Sequence, residues 1–255
     1  PFNSSETKMK DLNVVIVGGA MGFGALIAEM AVEAGAKGIG IIDLADASEV
    51  LAPLGAKGVK TASAKCDIRT APACQTTFDA VAEKLGRVDT LVNCAAIYPR
   101  KPTLGVTDEE WDLSNAINIK GTYHMMVSAI AHMKTQDPVA HVRGRIVNIT
   151  SVDAFKAHPK NIHYAATKAA VVSLTKSVAD YVAPDGILVN SIAPAGMATE
   201  KARASGFLDE LAKASPLGRG ALPREIAEWV VMAGSAKNSY MTGENITVSG
   251  GFIYA

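Results

Sequence analysis

The stretch that most constrains the fold lies near the start of the chain. Residues 13–17, Asn-Val-Val-Ile-Val, are a short apolar run rich in β-branched side chains, the pattern of a strand buried on both faces. Gly18, Gly19, Ala20, Met21, Gly22, Phe23 and Gly24 follow directly, and residues 25–34 then read as a helix that Gly35 stops. A buried strand, a glycine turn and a helix in immediate succession form the context in which glycines serve a dinucleotide. They permit the tight turn and let the backbone approach a pyrophosphate, while the helix start offers unpaired N–H groups. A purely structural glycine turn is the plain alternative.

The next apolar run, 38–42, ends at Asp43, nineteen residues after Gly24. That is near the spacing expected of a carboxylate that holds the adenosine ribose hydroxyls. An anion there repels a 2′-phosphate, and neither Met21 nor Leu44 supplies a cation to hold one. The expected cofactor is therefore NAD, the alternative for Asp43 being a helix-capping role after a strand.

The alternation continues along the chain. Runs at 57–65, 88–92, 146–149, 187–192 and 245–248 read as five further strands, and 71–85, 108–134 and 163–182 as helices. Strands separated by helical segments predict right-handed crossovers and one parallel sheet of seven strands, an α/β doubly wound fold. No linker or repeat divides it, so a short polar tail over 1–10 and one domain over 11–255 are expected. Gly18, Asp43, Asp67, Asn93, Ser151 and Pro194 each follow a strand. In such sheets ligands bind beyond the carboxyl ends of the strands, so these scattered residues should meet in one crevice.

Composition narrows the function classes. Lys plus Arg equals Asp plus Glu at 25 each, with no basic block, which argues against nucleic acid and an anionic membrane surface as partners. No run approaches the roughly eighteen apolar residues of a spanning helix, and the first ten residues lack a secretory apolar segment. Cys66, Cys74 and Cys94 are odd in number and lack metal-ligand spacing. They read as reduced, mostly buried thiols of a cytoplasmic protein, with no metal site and with a catalytic thiol disfavoured.

The chemistry points to 151–168, which ends in Tyr164-x-x-x-Lys168. Four residues apart on a helix places both side chains on one face. An ammonium beside a phenol favours the phenolate and lowers the phenol's pKa, suiting it to proton transfer. Ser151 stands thirteen residues earlier, where a buried strand would open onto a site. Such a pair arises easily by chance and gains weight only from the nucleotide site upstream. The bland reading is a core-facing Tyr beside a Lys that reaches solvent.

Taken in order, these motifs resemble the short-chain dehydrogenase/reductase family, over about 12–251. The glycine motif matches at Gly18, Gly22 and Gly24; Asp67-Ile68 matches the acidic position that meets adenine. Asn93-Cys94-Ala95-Ala96 is similar to the family's Asn-Asn-Ala-Gly signature. Asn118, Ser151, Tyr164 and Lys168 match its active-site set, and the segment from Pro194 through Met197 to Thr199 resembles the one that binds the nicotinamide carboxamide. The departures are Val17 before the first glycine, Cys94 for the second Asn, Ala96 for a Gly and Ala195 for the Gly after the proline.

The resemblance implies a Rossmann-like fold and interconversion of a secondary alcohol and a ketone. It assigns Asn118, Ser151, Tyr164 and Lys168 to catalysis. Tyr164 would be the general acid/base, Lys168 would tune it and hold the nicotinamide ribose, Ser151 would polarise the substrate oxygen, and Asn118 would hold a relay water. It assigns Gly18, Met21, Gly22, Phe23, Gly24, Asp43, Leu44, Asp67, Ile68, Asn93, Ala95, Tyr164, Lys168, Pro194, Met197 and Thr199 to the cofactor. It also favours a homotetramer built on the apolar helix over 115–133, which carries more apolar surface than one face needs, with the 163–182 helix beside it. Substrate loops are expected at 98–101 and 152–162, with a helical lid over 198–214. Asp153 and His163 lie near the reacting oxygen in sequence; Asp153 could meet a cationic or hydroxylated substrate, while a solvated or loop-capping carboxylate and, for His163, a packed ring are the plainer readings. A 3-oxoacyl carrier-protein-type reductase and a silent NAD-binding sensor remain as alternative functions.

Overall fold

Successive residues of a strand point to opposite faces of a sheet, and here both faces are covered. The computed structural model describes residues 8–198 and 212–254. Its strands are β1 (Asn13–Val17), β2 (Gly38–Asp43), β3 (Lys60–Lys65), β4 (Thr90–Asn93), β5 (Gly144–Ile149), β6 (Ile187–Pro194) and β7 (Asn245–Val248). All pair in parallel, in the order β3-β2-β1-β4-β5-β6-β7. On one face Val14, Ile16, Ile39, Ile41 and Val92 pack against α1 (Gly22–Glu33), α2 (Ser48–Ala56) and α7 (Pro223–Gly234). On the other, Val15, Val17, Ile42, Leu91 and Ile146 pack against α3 (Ala71–Leu85), α5 (Thr122–Lys134) and α6 (Ile162–Val182). Each such fully buried aliphatic side chain contributes about 1.5–3 kcal/mol.

This is the expected Rossmann-like, doubly wound seven-stranded sheet. From β1 the chain moves to β2 and β3 on one side, then crosses to β4 on the other. That reversal leaves a crevice beyond the carboxyl ends of β1 and β4.

Several element boundaries differ from the sequence expectation. Helix α2 was absent from it; it contains Pro53 and Gly55, and packing of its buried Leu51 and Leu54 holds it in place. Helix α7, which starts with Pro223 at its first turn, was also unread. Strand β3 begins at Lys60 rather than residue 57, because Lys57 N still donates to Leu54 O at the end of α2. The helix over 108–134 has three parts: α4 (Asp108–Ser114), a π-helical stretch (Asn115–Gly121) and α5. A capping box starts α4, with Thr107 N donating to Glu110 and Glu110 N to Thr107 Oγ1. At the N-terminus Met9, assigned to the tail, is 1 % exposed and packs in the core beside α7. Among the described residues no helix is long and apolar enough to cross a membrane, and no His/Cys/Asp/Glu group is arranged to hold a metal ion.

Candidate active site

The strand ends do converge. A crevice of about 1120 Å³ runs along them, lined by Gly18, Asp43, Asp67, Ser151 and Pro194. Met21, Gly22, Phe23, Gly24, Leu44, Ile68, Ala95, Tyr164, Lys168 and Met197 line it as well. Two expected residues do not: Asn93 is buried and donates to Asn148 Oδ1 at 2.9 Å, and Asn118 is buried beneath the loop that follows β4. Thr199 and most of the expected lid, 199–211, lie outside the described residues.

The glycine turn at the head of the crevice needs its glycines for different reasons. A Cβ on Gly24 would stand 2.1 Å from Gly18 O, so the helix can approach the turn this closely only without a side chain. Gly22 has φ +58° and open space where its side chain would be, so its requirement is conformational. Met21 caps α1 without a side-chain hydrogen bond, which leaves first-turn N–H groups available to an anion. Asp43 closes the turn from the next strand: Ala20 N donates to Oδ2 and Ala45 N to Oδ1, each at 3.0 Å. A carboxylate has about four acceptor positions, so Asp43 retains capacity for hydroxyls. Its structural and ligand-binding readings are thus compatible. Arg69 also lines the crevice, but the Asp67 carboxylate takes its Nε–H at 2.9 and 2.8 Å. The residues present fit a dinucleotide: an open glycine turn, a helix start and a partly engaged carboxylate.

At the other end β5 and α6 bring the acid/base groups together. Ser151 follows β5, and its Oγ accepts from Asp153 N at 3.1 Å. Ser151 and Tyr164 both line the crevice, and the Ser151 side chain acts on the Tyr164 phenol in the sense that favours its ionised form. Lys168, one helical turn beyond Tyr164, is 4 % exposed. Its ammonium donates to Ile149 O at 2.6 Å and lies 5.5 Å from the Tyr164 ring centroid.

The electrostatics differ from the sequence expectation in one respect. Burial pushes the Tyr164 phenol well above its ordinary value, the nearby Asp153 carboxylate adds to this, and the Ser151 side chain opposes it. The expected lowering by Lys168 is not what sets the phenol here. The lysine is itself desolvated and bonded to a carbonyl, and burial lowers its own pKa to about 8. Cys94 lines the crevice, but burial raises its thiol to about 11, with Lys168 opposing and Asp43 reinforcing the shift. It is a neutral thiol at ordinary pH, which agrees with the reading of Cys94 as non-catalytic.

Asn118 sits in the π-helical stretch between α4 and α5. Its amide is fully engaged: Ile97 N donates to Oδ1 at 2.9 Å, and Nδ2 donates to Ile97 O at 2.9 Å and Thr167 Oγ1 at 3.0 Å. Asn118 thereby ties the loop after β4 to the helix that carries Tyr164 and Lys168. Short π-helical bulges are frequent at functional sites. His163 is 1 % exposed, does not line the crevice and lies 6.4 Å from the Trp111 ring, as the packing reading expected.

The sequence reading missed Arg100, Lys156, His158, Asn161 and Phe252 as individual lining residues, although the first four fall in or beside the expected substrate loops. Thr103 Oγ1 donates to Pro159 O at 2.6 Å and Lys101 N to Lys160 O at 3.1 Å. These bonds bring the two loops together, and nothing in the local pattern announces them. Phe252 arrives from the far end of the chain and had no local signal.

Comparison with known proteins agrees with this geometry. A family model described as Enoyl-(Acyl carrier protein) reductase matches residues 18–253. Short-chain reductase protein NovJ of Streptomyces niveus is 33 % identical, over 97 % of each chain. A D-threitol dehydrogenase of Mycolicibacterium smegmatis is 34 % identical, over 93 % of this chain and 91 % of its own. Among solved structures, a gluconate 5-dehydrogenase from Burkholderia cenocepacia J2315, in complex with NADP and tartrate, superposes with a TM-score of 0.88 at 29 % identity, over 97 % of each chain.

Proposed function

The chain belongs to the short-chain dehydrogenase/reductase family of oxidoreductases, and from that premise we propose that it interconverts a secondary alcohol and a ketone using NAD. The observation that carries this reading is that Ser151, Tyr164 and Lys168 line one crevice with the glycine turn, the Lys168 ammonium 5.5 Å from the Tyr164 ring centroid. The relatives named as threitol and gluconate dehydrogenases support a carbinol as the reacting group.

Gly22, Gly24 and the start of α1 would hold the pyrophosphate, Asp43 the adenosine ribose, and Asp67 with Ile68 the adenine. The bound nicotinamide supplies hydride acceptance or donation. In oxidation Tyr164 takes the hydroxyl proton at its phenolic oxygen as hydride leaves the carbinol carbon; in reduction it returns that proton to the ketone oxygen. Ser151 donates to the same oxygen and holds it in line, an already oriented dipole at the point where charge develops. Lys168, fixed by Ile149, places a positive charge beneath the phenol's face of the helix. Asn118 holds the Ile97 loop against α6 and thereby keeps the proton-transfer groups in register.

NAD is favoured over NADP by Asp43, since a 2′-phosphate would meet its carboxylate at the end of β2 and Arg69 is already held by Asp67. The Burkholderia structure holds NADP, so cofactor choice must be read from this chain's own residues. We also propose a cytoplasmic homotetramer. Met125, Met126 and Met133 of α5 prove to be core residues, but Tyr123 and Val127 on α5 and Tyr181 on α6 stay exposed. A monomer at micromolar concentration in sedimentation would contradict the tetramer.

The test of the main reading is a pair of titrations with NADH and NADPH, followed by oxidation assays on secondary alcohols. NADH binding, with NAD-linked turnover of at least one alcohol, is the expected result. Absence of dinucleotide binding would overturn the reading.

A further inference from the structure

Two cavities meet at one side chain. The crevice and a smaller cavity of about 200 Å³ share Ala195, Gly196 and Phe252 in their walls. The small cavity is otherwise bounded by the apolar side chains of Leu217, Ala221, Trp229 and Val248, and by polar side chains that already have partners. Arg219 donates to both Glu225 oxygens at 2.7 Å, Ser215 Oγ to Gly250 O at 3.0 Å and Ser249 Oγ to Ile253 O at 3.1 Å. An apolar cavity of about 150 Å³ holds a benzene ring, so this one has room for a single ring. Phe252 is set between the two voids by backbone on one side and by a charge on the other. The turn over 249–253 closes on itself, with Phe252 N donating to Ser249 O at 3.1 Å. It is tied to 215–217 as well, since Leu217 N donates to Gly250 O at 3.2 Å. Gly250 and Gly251 have φ +62° and +83°, and a Cβ on Gly251 would stand 2.9 Å from Pro216 Cγ, so glycines let the turn lie this close. On the crevice side the Lys156 ammonium lies 3.8 Å from the Phe252 ring centroid. Lys156 is five residues beyond Ser151, on the stretch that carries Asp153, so the ring stands at the substrate end of the crevice.

We propose that Phe252 is a specificity-determining residue of the reaction: its ring is the wall that ends the substrate site, and Lys156 is the positioning residue that holds it there. The substrate class this admits is a carbinol or ketone whose substituent on the Phe252 side is short. A further apolar ring on that side has room only in the small cavity behind Phe252. The proposal rests on the dehydrogenase reading and adds its size limit. Of the three residues that the cavities share, Ala195 and Gly196 present a methyl group and bare backbone, so Phe252 alone supplies a side chain large enough to close the passage. Removing a phenyl ring from between two voids leaves them joined, because the surroundings relax only in part. The apolar walls then favour an apolar occupant over water. An ammonium over a ring face is attractive and opposes rotation of the ring out of the passage.

The test uses protein saturated with NAD, which forms a non-reacting complex with ketones, and calorimetric titration with two neutral ketones that differ by one ring, cyclohexanone and 4-phenylcyclohexanone. In wild type the phenyl compound should bind no more tightly than cyclohexanone. Phe252→Ala should tighten it at least about tenfold relative to cyclohexanone, and Phe252→Leu by less. Phe252 lies beyond the last strand and is half-buried, so these variants leave the sheet intact. Lys156→Met should shift the same ratio about two- to fivefold, as expected for an exposed cation–π contact, and Lys156→Arg should keep the wild-type ratio. Both ketones are neutral, so loss of the Lys156 charge by itself moves them alike. Trp229 reports the location of the added ring, because Trp111→Phe leaves it as the one tryptophan of the chain. In that background 4-(4-bromophenyl)cyclohexanone should quench Trp229 saturably in Phe252→Ala and not with Phe252 in place. Tighter binding of the phenyl compound than of cyclohexanone by wild type would overturn the proposal. So would a ratio unmoved in both Phe252 variants, or saturable quenching of Trp229 with Phe252 in place. An unmoved ratio in Lys156→Met would overturn the part assigned to Lys156. No binding of either ketone to any of these proteins while they hold NAD would overturn the proposal and leave the dehydrogenase reading standing. Failure to bind NAD would overturn the proposal together with the reading beneath it.

Discussion

The Lys168 ammonium lies 5.5 Å from the centroid of the Tyr164 ring, yet it gives its 2.6 Å hydrogen bond to the Ile149 carbonyl at the end of β5. The charge is therefore anchored to the sheet and not to the phenol. Because the group is buried, holding it charged opposes folding.

That cost has a definite pH dependence. Burial lowers the folded-state pKa of Lys168 to about 8, below the ordinary 10.5. Between those values the unfolded chain binds a proton that the folded chain has released, so stability attributable to Lys168 rises with pH across that window. The cost is fully present below about pH 8 and amounts to roughly 3 kcal/mol. Thermal unfolding of wild type and Lys168→Met should show wild type gaining on the variant between pH 7 and pH 10. A difference that does not change with pH would contradict the burial of a charged lysine.

Asp153 sets the opposite control on Tyr164. Its carboxylate raises the phenol's pKa, so Asp153→Asn should lower it. In the oxidative direction the phenolate is the working base, and kcat/KM rises as the phenol ionises. The ascending limb of that profile should therefore move to lower pH in Asp153→Asn. A limb that stays in place or moves upward would remove Asp153 from the electrostatics of the site.

Asp43→Asn tests cofactor choice. The amide oxygen can keep one of the two backbone hydrogen bonds, from Ala20 or Ala45, so a stability loss of about 0.5–1.5 kcal/mol is expected. Removing the charge should weaken NADH and strengthen NADPH, measured by direct titration. An unchanged ratio of the two affinities would mean that Asp43 is only a latch on the glycine turn.

Gly24→Ala places a Cβ 2.1 Å from Gly18 O, a backbone contact that no rotamer relieves. The turn or the helix must shift, at a cost of about 1–3 kcal/mol. Dinucleotide affinity should fall together with thermal stability. Unchanged affinity would show that the close approach of α1 to Gly18 is not needed for binding.

Most of the sheet was legible because its inner strands are buried on both faces and read as apolar runs between glycines and helices; β1 and the half-buried β7 match to the residue. Helix α2 went unread; it contains Pro53 and rests on packing of Leu51 and Leu54. The π-helical stretch was invisible because nothing in 115–121 departs from an ordinary helical pattern, although it sets where Asn118 points. The crevice followed from strand ends alone, since residues that end parallel strands must share one edge of the sheet. Asn93 failed that rule because its side chain turns inward to Asn148. Arg100, Lys156 and Asn161 lie on loops whose meeting depends on Thr103–Pro159 and Lys101–Lys160 contacts, which no periodicity encodes. The phenol's raised pKa was misjudged because sequence shows the neighbouring charge and not the burial, and burial dominates.

The most direct measurement of the central claim is the turnover of Tyr164→Phe with saturating NAD and an alcohol that wild type oxidises, followed by the near-ultraviolet absorbance of NADH, with NADH affinity titrated alongside. Loss of a general acid/base predicts a fall in kcat of more than about a hundredfold with dinucleotide affinity little changed. Turnover within about tenfold of wild type would contradict the assignment of proton transfer to Tyr164.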